Sequence, residues 1–259
     1  MTVNRFTGSR HRPLTATTAV HGPSASYLPD AYKSLLAQEL PEGWDWQWVI
    51  QEDGETDTVA PHVSDDPRIT FGQGRHGRAG VARTMALSRA AGRYVKVLDA
   101  DDMLVEGVLA QDLAALQQPG ICWSTSRVLD LLPDGSTVGF DQDPPEGPIE
   151  RGAVLEHWKA HDFRAQVHPA TLCARRDLVL ALGGRMALPA SEDTGILMAL
   201  NAVSRGWFSA ETGLLYRKWP GQSTASSAHV HEGERSARMA VIEARARALA
   251  PLDGWRVDT

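Results

Sequence analysis

The chain has 259 residues, 42% of them hydrophobic and 22% charged, with a formal net charge of −6. That length suits one large α/β domain or two small lobes and buries about 70% or more of the unfolded surface. The acidic balance argues against a nucleic-acid or anionic-membrane partner, which needs a basic patch, and no run of 18 apolar residues offers a membrane span.

Residues 1–13 are polar, carry Arg5, Arg10, His11 and Arg12, and lack the apolar stretch of a signal peptide. They read as a flexible arm. The next hundred residues alternate short apolar runs with helical patterns, the signature of a parallel-type α/β sheet. Residues 14–20 predict a first strand, broken by His21-Gly22-Pro23-Ser24. A helix is expected over 29–40, a strand over 46–50 closed by Gln51-Glu52-Asp53-Gly54, and a short strand over 69–71.

The most secure helix covers 79–90, where Ala82, Ala86 and Ala90 fall at i, i+4 and i+8 with Val81 and Met85 beside them as one packing stripe. An almost wholly apolar strand, 94–98, is interrupted only by Lys96 and ends at Asp99-Ala100-Asp101-Asp102. A helix over 105–116 follows.

Beyond residue 120 the texture changes. A strand over 121–132 leads through Pro133-Asp134-Gly135-Ser136 to a short return strand. The spacing predicts a loop over 141–148, helices over 151–160 and 176–182, a strand over 170–174, a helix over 192–203 and one or two strands over 207–216. Residues 221–228 are small and polar, and 232–250 form a long amphipathic helix. Cys122 and Cys173 stand in no metal-ligand spacing and read as buried thiols of a reducing compartment, the cytoplasm.

The three carboxylates Asp99, Asp101 and Asp102 repel one another at the end of a buried strand, which destabilises unless a cation or solvent compensates. Oxygen-only donors at this spacing suit Mg²⁺ or Mn²⁺, and strand carboxyl ends are where open α/β sheets bind ligands. The alternative is a solvated acidic turn, with Asp102 capping the next helix. Asp53 ends another strand and can accept from a base or ribose, or sit in a polar turn. Glu192-Asp193 opens a helix: the macrodipole alone favours acids there, and a general base is the functional alternative. His168 precedes a strand and is assigned no role, as are His229 and His231. Arg78, Arg83 and Arg217 are candidates for phosphate or base contacts.

In this order the pieces resemble the inverting family-two glycosyltransferases of GT-A fold. Thr18-Ala19-Val20-His21-Gly22 is similar to their first-strand motif, Gln51-Glu52-Asp53-Gly54-Glu55-Thr56-Asp57 to their Asp-Asp-Gly-Ser loop, and residues 80–87 with Gly92-Arg93-Tyr94-Val95 to their Ala-Arg-Asn helix and following strand. Leu98-Asp99-Ala100-Asp101-Asp102 resembles their metal-binding acids, Glu192-Asp193 their acceptor-side pair, and Tyr216-Arg217 with Pro220-Gly221-Gln222-Ser223 their closing loop. The resemblance covers residues 14–225. It departs where His21 replaces Tyr, Glu52 replaces Asp, and Trp219 replaces a closing-loop His.

The resemblance implies a Rossmann-like mixed sheet flanked by helices in a single domain. It has a nucleotide-sugar half (14–120), an acceptor and catalytic-base half (121–225) and a C-terminal helical segment (226–259). It implies a metal-dependent enzyme moving a sugar from a nucleotide diphosphate donor, UDP-sugar favoured, to a small-molecule or glycan acceptor. Thr18, Val20, Asp53, Arg78, Arg83, Asp99 and Asp101 would hold the donor. Asp101 and Asp102 would hold Mn²⁺ or Mg²⁺. Asp193 would be the base with Glu192 orienting, and Arg217, Gln222 and His229 would close over the donor. A nucleotidyltransferase is the enzymatic rival, though His21-Gly22-Pro23-Ser24 lacks the cationic glycine-rich loop such enzymes carry. A non-catalytic sugar-nucleotide binder is the other.

Overall fold

The computed structural model describes residues 12–222 and 232–252. Its strands are β1 (Arg12–Val20), β2 (Trp44–Asp53), β3 (Ile69–Gly74), β4 (Tyr94–Val97), β5 (Met103–Leu104), β6 (Ile121–Leu131), β7 (Thr137–Val138), β8 (Gly147–Ile149), β9 (Cys173–Arg175) and β10 (Arg205–Arg217). Its helices are α1 (Leu28–Leu36), α2 (Arg78–Ala86), α3 (Val108–Leu116), α4 (Ala153–Ala160), α5 (Arg176–Ala181), α6 (Glu192–Val203) and α7 (Glu232–Leu249).

The strands form one mixed sheet in the order β3-β2-β1-β4-β9-β6-β10-β5, with β7 beside β6 and β8 beside β10. Strands β1 to β4 are parallel. The three-residue β9 runs antiparallel to both β4 and β6, and β6 and β10 are again parallel.

Alternation along β4 divides the core. Tyr94 and Leu98 face α1 and α3, whereas Val95 and Val97 face the cluster built from α4, α5, α6 and α7. Lys96, on the α3 side and fully buried, is not a solvated interruption of the strand: its Nζ lies 2.7 Å from Asp112 Oδ2 and donates to the Thr171 carbonyl at 2.7 Å. Asp112 Oδ1 accepts from Ser124 Oγ at 2.7 Å.

Several element bounds move. The most secure helix ends at Ala86 rather than residue 90, because Leu87, Ser88, Arg89 and Ala90 bond carbonyls three residues back and tighten the chain. Ala82, Ala86 and Ala90 are buried as expected, but Val81 (38% exposed) and Met85 (55%) lie outside that stripe, since α2 packs on β1 and β2 through its small residues. Residues 103–104 pair with β10 as β5, which delays α3 to Val108. Gly107 precedes that helix, so Asp102 does not cap it. The expected loop 141–148 gives way to β8 at Gly147.

Candidate active site

The carboxyl ends of β1, β2 and β4 open on a cavity of about 490 Å³, within the roughly 300–1,000 Å³ typical of small-molecule sites. Val20, Asp53, Asp99, Asp101, Arg78, Arg83, Glu192, Asp193 and Gln222 all line it. It therefore gathers most of the residues named from sequence, although they come from segments as far apart as Val20 and Gln222.

Asp99 and Asp101 face this space from the turn after β4. Burial raises the pKa of Asp101, a bond from Trp219 opposes that shift, and the charge of Asp99 adds to it. Asp102 is different. It is 1% exposed and turned away, with Oδ1 accepting from the Arg217 amide at 3.0 Å and Oδ2 buried without a hydrogen-bond partner. Burial, then Asp99 and Asp101, hold its pKa well above the ordinary carboxylate value.

Arg83 connects the acid turn to α6. Its guanidinium donates to Glu192 Oε1 through one terminal nitrogen and to Asp99 Oδ1 through the other. Both terminal nitrogens are thus engaged within the protein, and the nucleotide contact expected of Arg83 is not what this geometry offers. Burial lowers the Arg83 pKa, but Asp99 and Glu192 outweigh that and raise it. Arg185, which sequence reasoning did not single out, approaches the same Glu192 oxygen at 3.6 Å. Glu192 feels burial upward, yet Arg83 and then Arg185 hold it below its usual value. Gly80 makes this approach feasible: a Cβ there would meet Glu192 Cγ at 2.6 Å.

Asp193 lies next to this pair with its own electrostatics. Its Oδ1 accepts from the Thr194 amide at 2.7 Å, and no hydrogen bond to Oδ2 occurs among the described residues. Burial, then the Glu192 charge, raise its pKa to about 6 against the pull of Arg83 and Arg185. Ser191, just before it, adopts φ 64, and Arg78 across the cavity adopts φ 69. Such left-handed non-glycine residues are strained and concentrate at functional sites.

Asp53 Oδ1 accepts from the Gly77 amide at 2.7 Å, and Oδ2 pairs with His76 Nδ1 at 3.0 Å. His76, unremarked in the sequence, therefore shares the carboxylate expected to read a base. Thr18 does not reach the cavity: its Oγ1 donates to the Leu98 carbonyl (2.5 Å) and accepts from Trp48 Nε1 (2.8 Å), which fixes β1 to β2 and β4. Glu52 is likewise internal, bonding Thr56 and Gln73. Arg78 donates to the Pro189 carbonyl at 3.2 Å.

Arg217 is not free to meet a ligand. Its Nε donates to the Asp101 carbonyl (2.8 Å), its Nη2 to Asp30 Oδ2 (3.0 Å), and its guanidinium lies over Tyr27. It pins the acid turn from behind. Gln222 donates to the Arg217 carbonyl. Trp219 Nε1 donates to Asp101 Oδ2 at 2.6 Å. His229 and His231 lie outside the described residues.

Among the described residues no three His, Cys, Asp or Glu side chains are arranged to hold a metal ion. Mg²⁺ and similar hard cations are commonly held by one or two carboxylates, with water and substrate phosphate completing the shell. Asp99 and Asp101 are such an oxygen pair on the cavity wall, so the donor chemistry fits.

Residues 19–128 match the family model described as Glycosyl transferase family 2. Residues 19–128 thus carry the sequence signature of that family. A Bacillus subtilis (strain 168) protein, provisionally named the teichuronic acid biosynthesis glycosyltransferase TuaG, is 29% identical over 141 residues, 52% of this chain and 54% of that protein. The match thus spans about half the length of that curated relative. Among solved structures, S. aureus TarS 1-349 in complex with UDP-GlcNAc aligns with TM-score 0.66 and 17% identity, over 92% of this chain and 70% of that one. The mannosyltransferase PcManGT from Pyrobaculum calidifontis, in complex with GDP-Man and Mn²⁺, aligns with TM-score 0.57 and 14% identity, over 93% and 70%. These likenesses establish the GT-A fold of the family 2 domain. No helix among the described residues is long and apolar enough to cross a membrane.

Proposed function

We propose that the chain is a metal-dependent inverting glycosyltransferase that moves a sugar from a nucleoside diphosphate donor, UDP-sugar favoured, to an acceptor hydroxyl or amine. One observation carries this reading: a carboxylate with its pKa raised to about 6, Asp193, shares one cavity with the Asp99 and Asp101 pair. The TarS structure with UDP-GlcNAc and the PcManGT structure with GDP-Man and Mn²⁺ support the donor class and the cation.

Asp99 and Asp101 would hold Mn²⁺ or Mg²⁺. Bound there, the cation supplies neutralisation of the leaving diphosphate. Asp193 accepts the acceptor's proton at Oδ2 as the acceptor oxygen or nitrogen attacks the anomeric carbon, and the bond to the diphosphate breaks on the opposite face. A base with pKa near 6 is unprotonated at neutral pH yet still basic enough to take the proton. Glu192 is held by Arg83 at Oε1 and by the Asp193 amide at Oε2, so the two acids divide their tasks. Much of the rate gain comes from positioning.

The test is a thermal-shift screen of UDP, TDP, GDP, CDP and ADP with and without Mn²⁺, followed by product analysis with the matching nucleotide sugars. Metal-dependent stabilisation with release of nucleoside diphosphate supports the transferase. Pyrophosphate release supports a nucleotidyltransferase instead, and binding without turnover a binding protein.

A further inference from the structure

His168 takes no part in the chemistry above, yet it lines the same cavity. Its backbone is built in. The His168 carbonyl accepts from Thr171 Oγ1 (2.7 Å) and from the Thr171 amide (3.1 Å), and the Thr171 carbonyl is tied to the buried Lys96. The ring lies beside Tyr216, with centroids 5.1 Å apart.

The ring's two nitrogens differ. Nδ1 accepts from the Ala170 amide at 3.3 Å, which places the proton of a neutral imidazole on Nε2. Burial keeps the ring neutral by lowering its pKa, although Asp99 opposes that shift. Among the described residues nothing bonds Nε2. The cavity that His168 lines is where a ligand partner for this N–H would sit.

The order of strands says which part of a ligand that is. β2 ends at Asp53, β1 at Val20, β4 leads to Asp99, and the turn starting at His168 leads into β9. β9 adjoins β4 on the side away from β1 and β2, about 14 Å from β2 at ordinary strand spacing. A nucleotide whose base is at Asp53 and whose diphosphate is at Asp99 and Asp101 extends its sugar towards His168. A neutral single donor suits a neutral oxygen there better than a phosphate.

We propose that His168 recognises the transferred sugar, its Nε2–H donating to a hydroxyl or amide oxygen of that sugar and not to the nucleotide. This rests on the transferase reading. The experiment is calorimetric titration, with Mn²⁺, of UDP and of UDP-glucose, UDP-galactose, UDP-GlcNAc and UDP-glucuronic acid into wild type, His168→Phe and His168→Gln. The sugar nucleotide that wild type binds tightest is expected to weaken about tenfold in His168→Phe, the scale of one hydrogen bond, while UDP stays within about twofold. His168→Gln, which keeps an N–H near the Nε2 position, is expected to recover part of the loss. Equal weakening of UDP and the UDP-sugar, or an unchanged UDP-sugar affinity in His168→Phe, overturns the proposal. If wild type binds UDP but no UDP-sugar more tightly, sugar recognition fails at this site. If it binds neither, the UDP-sugar reading fails first and takes the proposal with it.

Discussion

The Trp219 indole N–H donates to Asp101 Oδ2 at 2.6 Å. An indole nitrogen only donates and cannot ligate a cation, so Trp219 does not stand in for a metal-binding histidine. It instead occupies an oxygen of the cavity's acid pair, with Tyr27 packed against it at 5.2 Å. A cation drawn onto Asp101 competes with this bond for the charge of the same carboxylate. Titrating UDP with Mn²⁺ should therefore change tryptophan emission in wild type, and Trp219→Phe should lose most of that change while calorimetry still detects binding. An undiminished signal in the variant would show that the bond survives ligand binding.

Asp193 sets the pH dependence. Turnover should rise with pH through about 6, as the base loses its proton. Asp193→Asn should lower turnover at least about 100-fold with little change in UDP affinity. The stability effect runs the other way. A carboxyl whose pKa is raised on folding is more protonated in the folded than in the unfolded chain, so it weakens the fold as pH climbs from about 4 to about 6. Asparagine removes that penalty, and the variant should melt higher than wild type at pH 7. A lower melting temperature would contradict the raised pKa.

Arg83 joins two carboxylates that would otherwise face each other across the cavity wall. Arg83→Met should cost about 3–5 kcal/mol in denaturant unfolding, the scale for breaking a buried ion pair from one side. Because Arg83 lowers the Asp193 pKa, any residual activity should show its acid limb at higher pH. Arg83→Lys should not restore wild-type behaviour, since one ammonium lacks the planar fork that spans both partners.

The Lys96–Asp112 pair offers a structural control away from the acids. Lys96→Met alone should destabilise by about 3–5 kcal/mol because it strands a buried carboxylate. The double variant Lys96→Met with Asp112→Leu should recover much of that loss. Additive losses in the double-mutant cycle would show that the two side chains are not coupled.

Much of the nucleotide-side architecture was legible because periodicity reports burial directly. The strand at 94–98 and the acids after it follow from one apolar run and its end. Side-chain direction was less legible. Thr18 and Asp102 lie within or beside expected motifs, but hydrogen bonds to Leu98, Trp48 and Arg217, all remote in sequence, turn them inward. Arg83 reads equally well as a phosphate ligand or a strut until Glu192, 109 positions away, is placed against it. Val81 and Met85 follow a helical period, yet that period does not say which of two apolar stripes meets the sheet. His76 and Arg185 carried no local signal; each matters only through a distant acid.

The three residues of β9 form the sole ladder joining β4 to β6 among the described residues, with Ala174 opposite both Val95 and Trp123. A seam this narrow leaves much of the register between the two halves to side chains that cross it: Asp102 holding the Arg217 amide, and Arg83 forked between Asp99 and Glu192.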